Sequence, residues 1–262
     1  MEDGAFVQMI ESRLGMRTVT EASLRGKVVL VTGASRRIGR ALAVASARAG
    51  ADVILHYRTS ADLADAARRE IEALGRNAWI LQADLSKPEQ VASLAEQAFQ
   101  LAPPFGLVNS AALFSGGPFG ETSLADWETH LAVNLTAPFL LTQAFARLIG
   151  TQQKGRVVNL LDWRASRPGT DHFAYTISKA ALAAMTRSLA QSMAPNISVN
   201  GLALGAFLPA PGGERDPEVV RRIPAGRWGE LHEAGHALVF LLGGPAYVTG
   251  EIVHLDGGRH LL

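Results

Sequence analysis

A chain of 262 residues with 48% apolar and 19% charged side chains has ordinary globular composition, which by itself names no function. Its 25 basic and 24 acidic residues leave a formal charge of +1, too weak a field to make nucleic acid or an anionic membrane the main partner. With no cysteine, disulfides, thiolate metal sites and thiol catalysis are excluded, and no other ligand cluster has metal-binding spacing, so no metal is expected.

Residues 1–25 carry Glu2, Asp3 and Glu11 among short apolar pieces, unlike the basic start and continuous apolar stretch of a signal peptide. They read as an N-terminal extension. No run approaches the roughly 20 apolar residues of a membrane span, so a cytoplasmic enzyme acting on a small molecule is the expectation.

From Lys27 onward short β-branched runs alternate with longer helical stretches, the rhythm of βαβ units on a parallel sheet. Residues 26–262 therefore read as one α/β domain. Seven strands are expected: Val28 to Val31, Asp52 to Leu55, Ala78 to Leu81, Gly106 to Val108, Arg156 to Leu160, Ile197 to Asn200 and Glu251 to Leu255. Several are almost wholly apolar, as strands covered on both faces should be. Helical patterns fall at Gly39 to Ala49, Ala61 to Leu74, Pro88 to Phe99 and Ala174 to Met193. Pro138, inside the stretch from Asp126 to Leu148, predicts a kink or a helix start. After the sixth strand, Pro209, Pro211, Gly212, Gly213 and Pro217 rule out a long regular helix, and about 205–228 reads as a loop over the substrate.

The first strand runs into the turn Thr32-Gly33-Ala34-Ser35-Arg36-Arg37-Ile38-Gly39. Gly33 permits the tight turn, Gly39 lets the helix approach the strand, and the free amides at the helix start can receive a dinucleotide's pyrophosphate. Gly33, Ser35, Arg36, Arg37, Ile38 and Gly39 are the expected contacts. Where the second strand ends, an acid would bind a free ribose 2′-hydroxyl, but the stretch is His56-Tyr57-Arg58-Thr59-Ser60. Arg58 and Ser60, with Arg36 or Arg37, suit a 2′-phosphate, so the expected cofactor is NADPH. Asp84-Leu85 suits an adenine edge, and the small segment from Asn109 through Ala111 lets backbone approach the cofactor; either could simply end a strand.

Tyr175 and Lys179 lie one helical turn apart and share a face, where an ammonium would favour the phenolate and lower the phenol's pKa. Asp162 ends the apolar fifth strand. It reads either as a carboxyl raised by burial and kept as a proton donor, or as a carboxylate paired to Arg164 or Lys179. Trp163 and His172 flank these groups as candidate walls.

These pieces in this order resemble the short-chain dehydrogenase/reductase family from about Lys27 to Gly258. The matching elements are the glycine turn, Asp84-Leu85, the Asn109 segment, Asn134, Tyr175-x-x-x-Lys179 and Asp256-Gly257-Gly258. The resemblance implies a doubly wound, Rossmann-type seven-stranded parallel sheet flanked by helices, a homotetramer, and Asn134, Tyr175 and Lys179 as catalytic groups. Tyr175 would donate the proton, Lys179 would bind the nicotinamide ribose, and Asn134 would hold a helix backbone and a relay water, or else merely break the helix before Pro138. Three departures are informative. Arg37 replaces the middle glycine and Asp162 the usual serine, a combination similar to pteridine reductases, as are His56-Tyr57 and Phe114; Leu204 replaces a common proline before Gly205.

That closer resemblance implies NADPH-dependent reduction of a pteridine, a dihydropteridine or dihydrofolate. Phe114 would stack on the pterin, Arg37 would reach pterin and cofactor phosphates, and Asp162 would serve Tyr175. Ordinary core packing is the alternative for Phe114. A short-chain reductase of a ketone, such as a 3-oxoacyl thioester or a sugar, is the alternative function, although an ionised Asp162 would repel the developing oxyanion. A non-catalytic cofactor sensor is the third, and it would have no use for a proton donor.

Overall fold

The structure, a computed structural model, describes residues 23–209 and 212–262. Most of the expected N-terminal extension, up to residue 22, lies outside the described residues, as does Pro211.

Seven parallel strands form one sheet in the order β3-β2-β1-β4-β5-β6-β7. They are β1 Val28–Val31, β2 Asp52–Tyr57, β3 Ala78–Gln82, β4 Gly106–Asn109, β5 Gly155–Asp162, β6 Ile197–Leu204 and β7 Ile252–Leu255. The helices are α1 Arg37–Arg48, α2 Ala61–Ala73, α3 Pro88–Leu101, α4 Leu124–Leu131, α5 Ala137–Ile149, α6 Phe173–Met193, α7 Pro217–Val220 and α8 Leu231–Gly243. This is the single-domain doubly wound α/β architecture.

Alternation along the strands assigns the two faces. Val29 and Val31 of β1 join α1, α2 and α8 in one core, through Leu42, Ala67, Ile71 and Leu238. Leu30 joins α3 and α5 in the other, through Leu94, Leu141 and Phe145. Each such aliphatic side chain stabilises the fold by roughly 1.5–3 kcal/mol. β6 is buried along its whole length. β2 to β6 all run past their expected ends, and β5 and β6 stay in register to Asp162 opposite Leu204, which carries Asp162 to the carboxyl edge. The strand order changes its direction of progression between β1 and β4, and the crevice beyond those strands' carboxyl ends is where ligands bind in open parallel sheets.

Pro138 has its expected effect in a particular form. The backbone between α4 and α5 is a π-helical turn, Ala132–Thr136. Pro138 has no N–H to give the carbonyl four residues back, and π turns of this kind gather at functional sites. The stretch Leu124–Ile149 contains an 18-residue window of mean hydropathy 1.2, enough to cross a membrane by length and composition alone, but Asp126, Glu128, His130, Asn134 and Arg147 interrupt the stretch, so the expectation of no continuous apolar run stands. Its buried residues Leu141, Phe145 and Ile149 join the second core, so it serves here as a layer helix. α8 was not foreseen. It starts at a reciprocal capping box between Glu230 and Glu233.

Candidate active site

The site grows from the β1–α1 turn. Gly33 has φ +66°, and a Cβ there would sit 2.9 Å from Ala111 Cα, while a Cβ on Gly39 would run into the Gly33 carbonyl. Thr32 Oγ1 accepts the Ser110 and Ala111 amides at 2.9 and 3.0 Å, locking this turn to the end of β4. α1 starts with no side-chain cap and no acid in its first turn, so its first amides are free for an anion. A cleft of about 650 Å³ opens above them.

On the β2 side the cleft is lined by Gly33, Ser35, Arg36, Arg37, Ile38, Gly39, Tyr57, Arg58, Ser60, Asp84, Leu85 and Ala111. Arg36, Arg37 and Arg58 are exposed, with no acid at the β2 end. Asp84 is held below the usual carboxylate range by the Ser86 amide and hydroxyl. Arg37 has φ +54°, a left-handed backbone that a side chain tolerates at some cost, and its guanidinium donates to the Pro209 carbonyl. The turn is thereby tied to the loop after β6.

Three expectations for this side need correction. His56 touches the cleft but has both ring nitrogens committed: Nδ1 accepts the Gly33 amide at 3.1 Å and Nε2 donates to the Ala83 carbonyl at 3.0 Å. Burial lowers its pKa to about 4, so this expected cofactor contact is a neutral brace of the glycine turn. Asn109 does not line the cleft. Its amide is buried in a polar chain, donating to Asn159 Oδ1 at 2.8 Å and to Thr142 at 3.3 Å, because the last β4 side chain points into the core. Asn134, expected as catalytic, is fully buried in the π turn and also lies off the cleft. It accepts the Leu113 amide at 2.8 Å and donates to the Leu113 carbonyl and to Ser178, both at 3.0 Å. It fixes the loop bearing Phe114 against the helix bearing Lys179.

Beyond the ends of β5 and β6, Asp162, Tyr175, Lys179 and Phe114 all line the same cleft. Tyr175 Oη donates to Asp162 Oδ2 at 3.1 Å, and Asp162 Oδ1 accepts the Arg164 amide at 2.9 Å, with an Arg164 guanidinium nitrogen at 3.6 Å. Of the two readings of Asp162, this is the arginine-paired one. Lys179 donates to the Leu160 carbonyl at 2.7 Å, and burial lowers its pKa to about 8. The expectation that Lys179 lowers the phenol is reversed in this arrangement. Burial, then the charge and hydrogen bond of Asp162, push Tyr175 well above its ordinary value. A phenol so placed keeps its proton until a base of comparable strength approaches.

Phe114 is half exposed, so the core-packing alternative fails. One side of its ring stacks on His172 with centroids 4.2 Å apart, and it meets Tyr175 edge-on at 4.7 Å. His172 thus buttresses Phe114 from behind. The loop after β6 supplies Phe207, Leu208, Pro209, Val219 and Trp228, and Arg164 and Arg259 complete the wall. Arg259 had no sequence signal, since only folding brings residue 259 beside residue 163.

Comparisons with known proteins place the chain in a family. A family model described as enoyl-(acyl carrier protein) reductase matches residues 33–260. The chain is 36% identical to the 3-oxoacyl-[acyl-carrier-protein] reductase FabG of Aquifex aeolicus, over 91% of this chain and 99% of that protein. Among solved structures, FolM alternative dihydrofolate reductase 1 from Brucella canis, complexed with NADP, is 36% identical with TM-score 0.84, covering 93% of this chain and 97% of that one. A blue fluorescent protein from a metagenomic library, in complex with NADPH, is 37% identical with TM-score 0.84, covering 90% and 99%. On this sequence match and this fold, the chain belongs to the short-chain dehydrogenase/reductase family.

Proposed function

We propose that the protein reduces a pteridine, a dihydropteridine or dihydrofolate, with NADPH. The carrying observation is the contact between Tyr175 and Asp162 beside the half-exposed ring of Phe114. The residues of the β2 side fit the cofactor: uncapped α1 amides for the pyrophosphate, and Arg36, Arg37, Arg58 and Ser60 for the 2′-phosphate. Bound NADPH supplies the hydride, which goes to the carbon of a ring C=N bond.

The chain's own residues do the rest. Phe114 takes one face of the flat heterocycle by offset stacking, which orients the C=N bond. Tyr175 gives its proton to the ring nitrogen, a contribution of roughly 10² to 10⁴ in rate. Asp162, bonded to the phenol, takes a proton from solvent and passes it to the phenolate, which restores the donor. Lys179, buried and bonded to Leu160, lines the cleft and would hold the nicotinamide ribose with its remaining donors. Asn134 is a positioning residue. Phe207, Leu208, Pro209, Val219 and Trp228 cover the substrate side, and the working form is a cytoplasmic homotetramer, so gel filtration should give about four times 27.8 kDa.

Reduction of a 3-oxoacyl thioester is the second reading, favoured by the Aquifex relative. Asp162 argues against it, because a carboxylate beside the developing oxyanion opposes the charge that the reaction creates. Purified protein given NADPH with dihydrobiopterin, dihydrofolate or acetoacetyl-CoA decides between them by absorbance at the nicotinamide band. Turnover of a pteridine is expected; turnover of the thioester alone defeats the proposal.

A further inference from the structure

Outward from Phe114 the cleft wall changes character. The Arg164 guanidinium lies 5.8 Å from the Phe114 centroid and 4.8 Å from that of Trp163, and the Arg259 guanidinium lies 4.3 Å from Trp163. All four line the cleft that holds Tyr175 and Asp162. Trp163 thus packs against two guanidiniums, contacts that cation–π attraction favours despite their like charge.

Their partners are unequal. Arg164 is paired, to Asp171 at 2.7 Å and Asp162 at 3.6 Å, yet its buried Nε has no hydrogen-bond acceptor. Arg259 makes no ion pair among the described residues, and its neighbour in sequence, Asp256, is taken by His260 at 2.8 Å. Burial and then the positive charge of Arg164 hold the Arg259 guanidinium below its ordinary value, against the opposing charge of Asp162, with smaller opposed contributions from Arg222 and Asp171. A partly desolvated guanidinium on a cleft wall, with acids near enough to be felt but none in direct contact among the described residues, has its donors open to an anionic ligand.

We infer that the substrate carries an anionic group, a carboxylate or a phosphate, away from its reacting ring, and that Arg259 with Arg164 receives it. This rests on the pteridine reading, and within it selects pteridines with a carboxylate-bearing tail over those with a neutral side chain. Arg259 is then a specificity-determining residue. It acts on binding and leaves proton delivery to Tyr175.

The test compares kcat/KM for dihydrofolate, which has the carboxylate tail, with dihydrobiopterin, which lacks it, in wild type, Arg259→Gln and Arg259→Lys. Arg259→Gln should lower the dihydrofolate-to-dihydrobiopterin ratio at least tenfold through KM, and Arg259→Lys should recover part of the loss. A ratio that moves less than twofold, or a wild type that accepts dihydrobiopterin and refuses dihydrofolate, overturns the inference while sparing the pteridine reading. If only acetoacetyl-CoA is turned over, a tenfold rise of its KM in Arg259→Gln would keep the anion site with phosphate as its ligand and sink the pteridine reading. Indifference there sinks both. Should no substrate turn over, folic acid should raise the melting temperature of the NADPH-loaded wild type more than that of Arg259→Gln, and equal shifts count against the site.

Discussion

The two halves of the cleft are built in different ways. The half at the β1–α1 turn is centred on consecutive residues, Gly33 to Gly39, whose pyrophosphate cradle is mostly backbone: amides at a helix start, held by Gly33 and by the neutral ring of His56. The other half consists of side chains brought from residues 114, 162–164, 175, 179, 207–209 and 259. A backbone cradle tolerates many side-chain changes and serves any ligand with the same phosphates. A side-chain wall can be rebuilt one residue at a time, which is how one fold hosts many substrates.

The sharpest way to separate the halves is Tyr175→Phe. It removes the proton and leaves the cradle, so kcat should fall about 10² to 10⁴-fold while NADPH affinity, read by nicotinamide fluorescence, stays within about threefold. A comparable loss of affinity would mean that the halves are not independent.

His56 tests the cradle itself. Unfolded, it titrates near 6.5; folded, burial holds it at about 4. Between those values the unfolded chain binds a proton that the folded chain does not, so stability is fully present above pH 6.5 and falls as pH drops toward 4. The loss amounts to about 3 kcal/mol. His56→Gln should be less stable than wild type at pH 7, with the gap closing by pH 4 in urea unfolding. A gap independent of pH would remove His56 as its source.

Arg58→Ala touches only the end of β2 and should have the smallest effect of the three. NADPH affinity should drop about tenfold, about 1.4 kcal/mol, with NADH affected less than twofold. An equal drop for both would move the 2′-phosphate elsewhere.

The same contrast explains what the sequence made legible. All seven strands and the glycine turn were readable because their signals are local: β-branched runs, and Gly33 and Gly39 at a strand–helix junction. Asp162, Tyr175 and Lys179 were readable through a motif at fixed spacing. Asn109 and Asn134 were misplaced because residue type and position do not say which way a side chain turns, and both turn inward to satisfy buried polar groups. The phenol's direction was misread because helical spacing gave the lysine on one turn but hid burial and the carboxyl from another strand. Arg164 and Arg259 were invisible as a pair, since Trp163 joins them only in the folded chain.

The central claim is that Asp162, standing where a serine is usual, commits this cleft to a C=N bond. It is tested most directly by the ratio of kcat/KM for dihydrobiopterin to that for acetoacetyl-CoA, in wild type and in Asp162→Ser. The account predicts a wild type that favours the pteridine and a ratio that shifts at least about a hundredfold toward the ketone in the variant, the scale of one proton-transfer or oxyanion contact. A ratio unmoved by the substitution, or a wild type that already favours the thioester, would contradict it.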